Sequence, residues 1–336
     1  GEPTLRTDLM EICDVLAPKS KTLEISSNGL TPKKLIPIVK KYPNIKIRFS
    51  VEGKEDTNNI IRGENNGFNK KVEGMKKLIE AGGKDLGFAF VVQDENVEEL
   101  SYVYDLTKKL GIELSTSTLH NAWQFHKNDN YHYDRERSAK AVETLITNLL
   151  DTWSVKNWFR GYMNLGLIEK ILGHKRLHKC VAGDGFIFID PWADIWSCNV
   201  RTDLPMGNLL ESSWEDALNS EVAQESIKKV QQCEQNCWMV TTARTAMRSK
   251  LNSSLPNTPS AMWVINNKLK RIFNQKIDFQ KYVNYSNILP NVITSSNKIQ
   301  KNKDEILRKS YLKESDKKII QKKDDPHYTQ GEYYNL

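Results

Sequence analysis

Residues 85–92 read DLGFAFVV, and this octet decides the fold class. It is apolar at odd and even positions alike, the pattern of a strand covered by helices on both faces. Upstream, residues 68–81 place Val72, Met75, Leu78 and Ile79 on one helical face. Before that helix, residues 45–51 (IKIRFSV) alternate Ile45, Ile47, Phe49 and Val51 as a strand. A short β-run, TLEIS (22–26), closes in the turn SNGL and is followed by a connecting helix in TPKKLIPIVKKY. Downstream, a helix over 96–110 ends at Gly111 and a fourth strand, IELSTS, follows. Strands alternating with helices at this spacing predict βαβ units and a parallel α/β sheet or barrel. Residues 137–172 read as mostly helical, and a helix over about 8–16 opens the chain.

Near residue 174 the texture changes. Gly, Cys, Trp and short β-runs such as GFIFIDPWADIWSC (185–198) replace the repeating units. After about 250 the sequence becomes rich in Asn, Ser and Pro, with one amphipathic helix in AMWVINNKLKRIF (261–273) before a Lys/Asn-rich end that reads as disordered.

Composition excludes several classes. Five cysteines in 336 residues are too few for a disulfide scaffold. A mean hydropathy of −0.58, with no apolar run near 18 residues, excludes a spanning helix. The opening GEPTLRTDLMEICDVL lacks the basic and apolar segments of a signal peptide, so a soluble protein of the reducing cytoplasm is expected. The net charge of +7 lies wholly in residues 264–336, which hold 15 basic and 8 acidic side chains. The body is neutral, and no aromatics interleave with the basic tail as stacking platforms, so nucleic acid is not an expected partner.

Four of the five cysteines fall in the second region: Cys180, Cys198, Cys233 and Cys237. The last two form Cys-x3-Cys and the first two flank a Gly-rich hairpin, which suits one four-thiolate site fed from two segments. Soft thiolates select zinc or iron–sulfur clusters. His174, His178 and Cys180 form an H-x3-H-x-C run; set among Lys175, Arg176 and Lys179, the two histidines are read as exposed, with a ligand role as the alternative. Cys13, among Leu9, Ile12 and Leu16, is read as a buried apolar thiol.

The order of short motifs resembles the radical SAM superfamily, in the subgroup of molybdenum-cofactor proteins and peptide maturases. GEPTL (1–5) resembles the GGEP turn after the second barrel strand, and ISSNG (25–29) the third-strand TNG segment. RFSVEG (48–53) with IIRGENNGF (60–68), and then FVVQDEN (90–96), resemble the next signposts. CVAGDGFIFIDPWADIWSCN (180–199), MGNLLESSWEDAL (206–218) and CEQNC (233–237) are similar to a SPASM or Twitch auxiliary-cluster region.

That resemblance implies a partial TIM-type (β/α)6 barrel over 1–173, lacking its first strands and retaining strands three to six. It implies a SPASM/Twitch-like domain over 174–250, a helical extension over 251–284 and a basic tail over 285–336. It implies S-adenosylmethionine (SAM) bound by the Gly1–Glu2–Pro3 turn, whose carbonyl and carboxylate acceptors would face the ammonium. Ser50 and Glu52 would hold the ribose hydroxyls, and Arg62 would pair with the SAM carboxylate. One auxiliary [4Fe–4S] cluster would sit on Cys180, Cys198, Cys233 and Cys237. Asn96 is read as a helix cap, and Ser115, at the end of the fourth strand, with His120 and Asn121 as facing the same mouth. The implied activity is reductive cleavage of SAM to a 5′-deoxyadenosyl radical, which abstracts hydrogen from a peptide or small molecule, with an external electron donor. The sequence departs from the family in lacking Cys-x3-Cys-x2-Cys, and the chain is therefore read as an N-terminally truncated piece that does not cleave SAM alone. The alternative is a zinc-stabilised, non-catalytic binding protein with an inert barrel remnant.

Overall fold

The computed structural model describes residues 1–120, 130–201, 203–251 and 259–288. Four parallel strands, β1 (Glu24–Ser27), β2 (Lys46–Ser50), β3 (Asp85–Val92) and β4 (Glu113–Thr118), lie side by side in chain order. Between and after them run helices α1 (Leu9–Leu16), α2 (Ile36–Lys41), α3 (Glu55–Arg62), α4 (Gly67–Glu80), α5 (Leu100–Leu110), α6 (Arg135–Asp151) and α7 (Val155–Leu172). The register stacks Ile47 between Ile25 and Leu86, and Phe49 between Ser27 and Phe88. Leu35, Ile38 and Val39 around α2, Met75 and Leu78 of α4 and Leu100 and Val103 of α5 complete that core. A sheet buried on both faces explains why DLGFAFVV has no polar face.

One polar group interrupts this apolar sheet. Arg48, in the middle of β2, is only 3% exposed. Its guanidinium donates to the Asp85 carboxylate (2.5 Å), the Asp85 carbonyl (2.8 Å) and the Glu113 carboxylate (2.8 Å). Lys156 and Arg160 of α7 reach the same Glu113, each at 2.5 Å. Gly87 makes the close approach possible: a Cβ there would stand 2.4 Å from the Glu113 carbonyl and 3.2 Å from Arg48 Cδ. This network stitches the N-terminal ends of β2, β3 and β4 to α7, leaving the C-terminal ends for chemistry.

The second unit is a three-stranded antiparallel sheet, β5 (Phe188–Ile189), β6 (Asp194–Trp196) and β7 (Pro205–Asn208), with β6 central. Helices α8 (Trp214–Asn219) and α9 (Glu221–Gln231) follow, each begun by a serine (Ser213, Ser220) whose hydroxyl accepts an N–H of the first turn. Ile195, Met206, Ala217 and Ala223 make its small core. Then come α10 (Val240–Leu251) and α11 (Pro259–Ile272).

Helix α11 buries Trp263, Val264, Asn267 and Lys268 against α6 and α7. Asn121 and the expected tail beyond residue 288 lie outside the described residues. Among the described residues no helix is long and apolar enough to cross a membrane.

Candidate cluster and cofactor site

At the C-terminal edge of the sheet, Glu2 turns inward. Its Oε1 accepts from Thr4 N–H (3.1 Å), Thr4 Oγ1 (2.7 Å) and Ser27 Oγ (2.7 Å), and its Oε2 from Asn28 N–H (2.6 Å). The expectation of an outward carboxylate is therefore corrected: four short-range donors saturate it, and it clamps the Gly1–Pro3 turn to the end of β1. The Glu2 and Pro3 carbonyls accept from Leu5 and Arg6 within the same turn.

Ser50 closes β2, half-buried, opposite Ala89. Glu52 is only 3% exposed; its Oε2 accepts from Val91 N–H (2.8 Å), and its own N–H donates to Asn58 Oδ1 (3.0 Å). Burial pushes its carboxyl pKa up, while the Val91 bond and the charges of Arg62 and Lys71 pull it back. Arg62, in the last turn of α3, lies 3.9 Å from Glu52 and 4.0 Å from Glu64. Glu64 in turn pairs with the wholly buried Lys71 at 2.7 Å. Glu52 is thus placed to steer Arg62 more than to meet a ligand itself, while Arg62 keeps a partly exposed side chain.

Two other expectations change. Asn96 stands where a helical turn begins but caps nothing with its side chain. It donates to the Val91 carbonyl (2.9 Å) and accepts from Gln93 N–H (3.0 Å), bracing the loop after β3. Ser115 lies inside β4, because the strand runs on to Thr118. At that true strand end, Thr118 Oγ1 and His132 Nε2 are 2.6 Å apart, and His132 Nδ1 is 3.2 Å from Ser138 Oγ. Burial pushes His132 down to about 4 against the opposing pull of Asp94, and burial with the Lys170 charge takes His120 to about 4 as well. Both rings are neutral near pH 7.

All five cysteines are free, and Cys13 is 1% exposed on the sheet side of α1, as its apolar neighbours imply. Among the other four, electrostatic influence runs between Cys198 and each of Cys180, Cys233 and Cys237. Burial pushes the Cys198 thiol up; the Val200 and Arg201 N–H groups oppose this, and the charges of Cys180 and Cys233 add to it. Burial also pushes Cys237 up, with Lys170 opposing it and Cys198, then Cys233, among the smaller influences. Each sulfur is therefore within electrostatic reach of at least one other, across segments some fifty residues apart. Among the described residues no three His, Cys, Asp or Glu groups gather tightly enough to hold a single metal ion. Thiolates on one zinc would sit only about 3.8 Å apart, given Zn–S near 2.3 Å. A cluster that gives each thiolate its own iron takes a wider set, and four soft sulfurs are its donor chemistry. In donor chemistry, these four thiols suit such a cluster.

His178 corrects the expectation of exposure. It is 6% exposed, with its Nε2 3.1 Å from Tyr162 Oη and its ring stacked 6.1 Å from that of Trp238. His174 bonds the Glu169 carboxylate at 2.6 Å.

Residues 180–238 match the SPASM family, an iron–sulfur cluster-binding domain. The chain is 25% identical over 221 residues to the mycofactocin maturase MftC of Mycolicibacterium smegmatis, covering 62% of this chain and 54% of that protein. It is 28% identical over 148 residues to the Fe-coproporphyrin III synthase of Methanosarcina barkeri, covering 44% and 37%. The chain carries a SPASM domain and is similar to radical SAM enzymes. The chain spans about half the length, or less, of these curated relatives. Among solved structures, native anSMEcpe with bound AdoMet aligns at 16% identity and a TM-score of 0.48, over 82% of this chain and 81% of the other.

Several residues of the SPASM surroundings were not foreseen. Trp238 Nε1 donates to the Met163 carbonyl (2.7 Å), and Asn236 Nδ2 to the Lys170 carbonyl (3.4 Å), both on α7. Arg176 donates to the Cys233 carbonyl, and Arg201, ion-paired to Asp203, acts electrostatically on the Cys233 side chain. A signal existed for the first of these: a glycine, Gly166, inside an otherwise good helix marks a close approach.

Proposed function

We propose that this chain supplies the SAM-holding strand ends and the auxiliary-cluster domain of a radical SAM enzyme acting on a peptide or a small molecule. The observation that supports this reading is that the SPASM-matching segment holding Cys233 and Cys237 docks on α7 through Asn236 and Trp238, with Cys180 and Cys198 within electrostatic reach. When bound, the clusters and SAM supply reductive SAM cleavage and hydrogen abstraction, with electrons from an external donor. The cysteines of a SAM-cleaving cluster are not among these 336 residues.

The chain's own residues divide the remaining work. Arg62 offers a two-pronged guanidinium to the SAM carboxylate, steered by Glu52 and Glu64. Ser50 and the carbonyls of the Gly1–Pro3 turn offer hydroxyl and acceptor contacts at the ends of β2 and β1. Glu2 and Asn96 hold the two loops in place, and the neutral His132 ties the end of β4 to the start of α6. The four thiols hold the auxiliary cluster.

Anaerobic reconstitution with iron and sulfide should give the broad thiolate-to-iron absorption of a cluster, lost in Cys198→Ser and in Cys237→Ser. Stoichiometric zinc with no uptake of iron would instead favour the zinc-stabilised binding protein. Arg62→Ala should weaken SAM binding at least tenfold by equilibrium dialysis, since a charge-assisted contact contributes roughly 1.5–3 kcal/mol. An unchanged affinity would remove Arg62 from the site.

A further inference from the structure

We propose that Lys170, Arg176 and Arg201 form a cationic shell around the four-thiolate centre and raise the reduction potential of the cluster it holds. This rests on the cluster reading above and adds to it a function for three residues outside the ligand set.

The placement follows from how the cysteine segment is docked. Trp238 lies against Gly166, where a Cβ would come within 2.0 Å of the indole, and its Nε1 is tied to the Met163 carbonyl. Asn236 is tied to the Lys170 carbonyl. Residues 236–238 therefore run along the last turns of α7. Met163, Gly166 and Lys170 follow one another at three- and four-residue steps, so they share a face, and Cys237 comes opposite Lys170. Among the described residues no carboxylate pairs with Lys170, and its charge and Cys237 act on each other. Buried cations are retained where an anion faces them, and here the anion is the thiolate centre.

The other two cations meet Cys233, the first residue of the Cys-x3-Cys pair, Arg176 at its carbonyl and Arg201 at its side chain. Arg201 is fixed by Asp203, and its charge acts on the Cys233 side chain. Its backbone N–H, with that of Val200, points at Cys198, the Val200 bond being 3.3 Å. Arg176 donates to the Cys233 carbonyl and its charge acts on Cys237. A cluster carried by four thiolates is an anion, and accepting an electron makes it more negative. Fixed positive charges and N–H···S bonds stabilise the reduced state more than the oxidised one, so the potential rises.

The test uses the 336-residue chain, reconstituted anaerobically with iron and sulfide and titrated redox-wise with the cluster's electron spin resonance as readout. Lys170→Gln and Arg201→Gln should each load iron and titrate at a more negative midpoint. At the poise that half-reduces the wild type, the reduced-to-oxidised ratio should fall about tenfold, a 59 mV shift for one electron. Lys170→Arg and Arg201→Lys, which keep the charge, should stay near wild type. If Lys170→Gln fails to load while Lys170→Arg loads, the charge role also stands. Midpoints of fully loaded glutamine variants equal to wild type would overturn the shell, as would failure of both Lys170 variants to load. A wild-type chain that takes up no iron would sink the cluster reading itself, a separate and recognisable outcome.

Discussion

Gly166 and Trp238 show how one residue fixes the relation between two halves of the molecule. Alanine is worth about 1 kcal/mol more than glycine in a helix interior. At position 166, however, the added Cβ would meet three indole atoms at 2.0–2.5 Å. Gly166→Ala should therefore destabilise by roughly 1–3 kcal/mol in urea unfolding, and lower iron retention by displacing the Cys237 segment. A neutral or stabilised variant would contradict the docking. His132 sets a second test at this scale. Its folded pKa lies near 4, below the unfolded value, so the unfolded chain takes up a proton between about pH 6.5 and 4 that the fold refuses. Stability is full above that window and falls as pH drops through it, by up to about 1.4 kcal/mol per unit, with His120 contributing in the same direction. Urea midpoints from pH 7.5 to 4.5 should show this slope, and His132→Gln should flatten it. Glu2 marks where reading single residues stops. Sequence gives a carboxylate before a Pro, but not that Ser27 and Asn28, twenty-five residues on, would fold back to saturate it.

Elements differ in how plainly the chain declares them. The four parallel strands are legible because each is a β-type run bounded by turn residues, and α4 and α5 because their apolar faces repeat at helical spacing. Helix α3 escaped notice: EDTNNIIR is polar almost throughout, and it is held by Asn58 beneath Glu52 and by its Gly63 left-handed cap instead of by an apolar face. Helices α8 and α9 were hidden in the same way, by short length and serine caps inside a region whose cysteines drew attention. Helix α11 was visible as amphipathic, but its anchor was not. Lys268 Nζ is buried and donates to the Leu150 (2.8 Å) and Thr152 (2.9 Å) carbonyls, closing the C-terminal end of α6. It also lies 4.4 Å over the Trp153 ring. Lys268→Met, which keeps the stem and removes the donor, should cost about 2 kcal/mol in chemical denaturation. A loss below a few tenths would show that water satisfies those carbonyls.

At the scale of the whole molecule, the fold class and the thiolate set were readable, and their juxtaposition was not. Strand order follows from chain order in a βαβ series, so the sheet could be laid out from the sequence. The arrival of Cys233 and Cys237 beside α7 depends on a tryptophan meeting a glycine seventy-two residues earlier, which no local pattern announces. The same docking brings Lys170 from the end of a barrel helix to the edge of the cysteine site. The two halves thus share α7, and the chemistry assigned to each depends on that helix staying where Arg160, Lys156 and Trp238 hold it.

The most direct test is the iron and sulfide content of the anaerobically reconstituted 336-residue chain, measured beside a variant with Cys180, Cys198, Cys233 and Cys237 all changed to serine. About four irons and four sulfides per chain in the first, and near none in the second, are the predicted result for one thiolate-held cluster. Equal iron in both proteins, or zinc alone in the first, would contradict it.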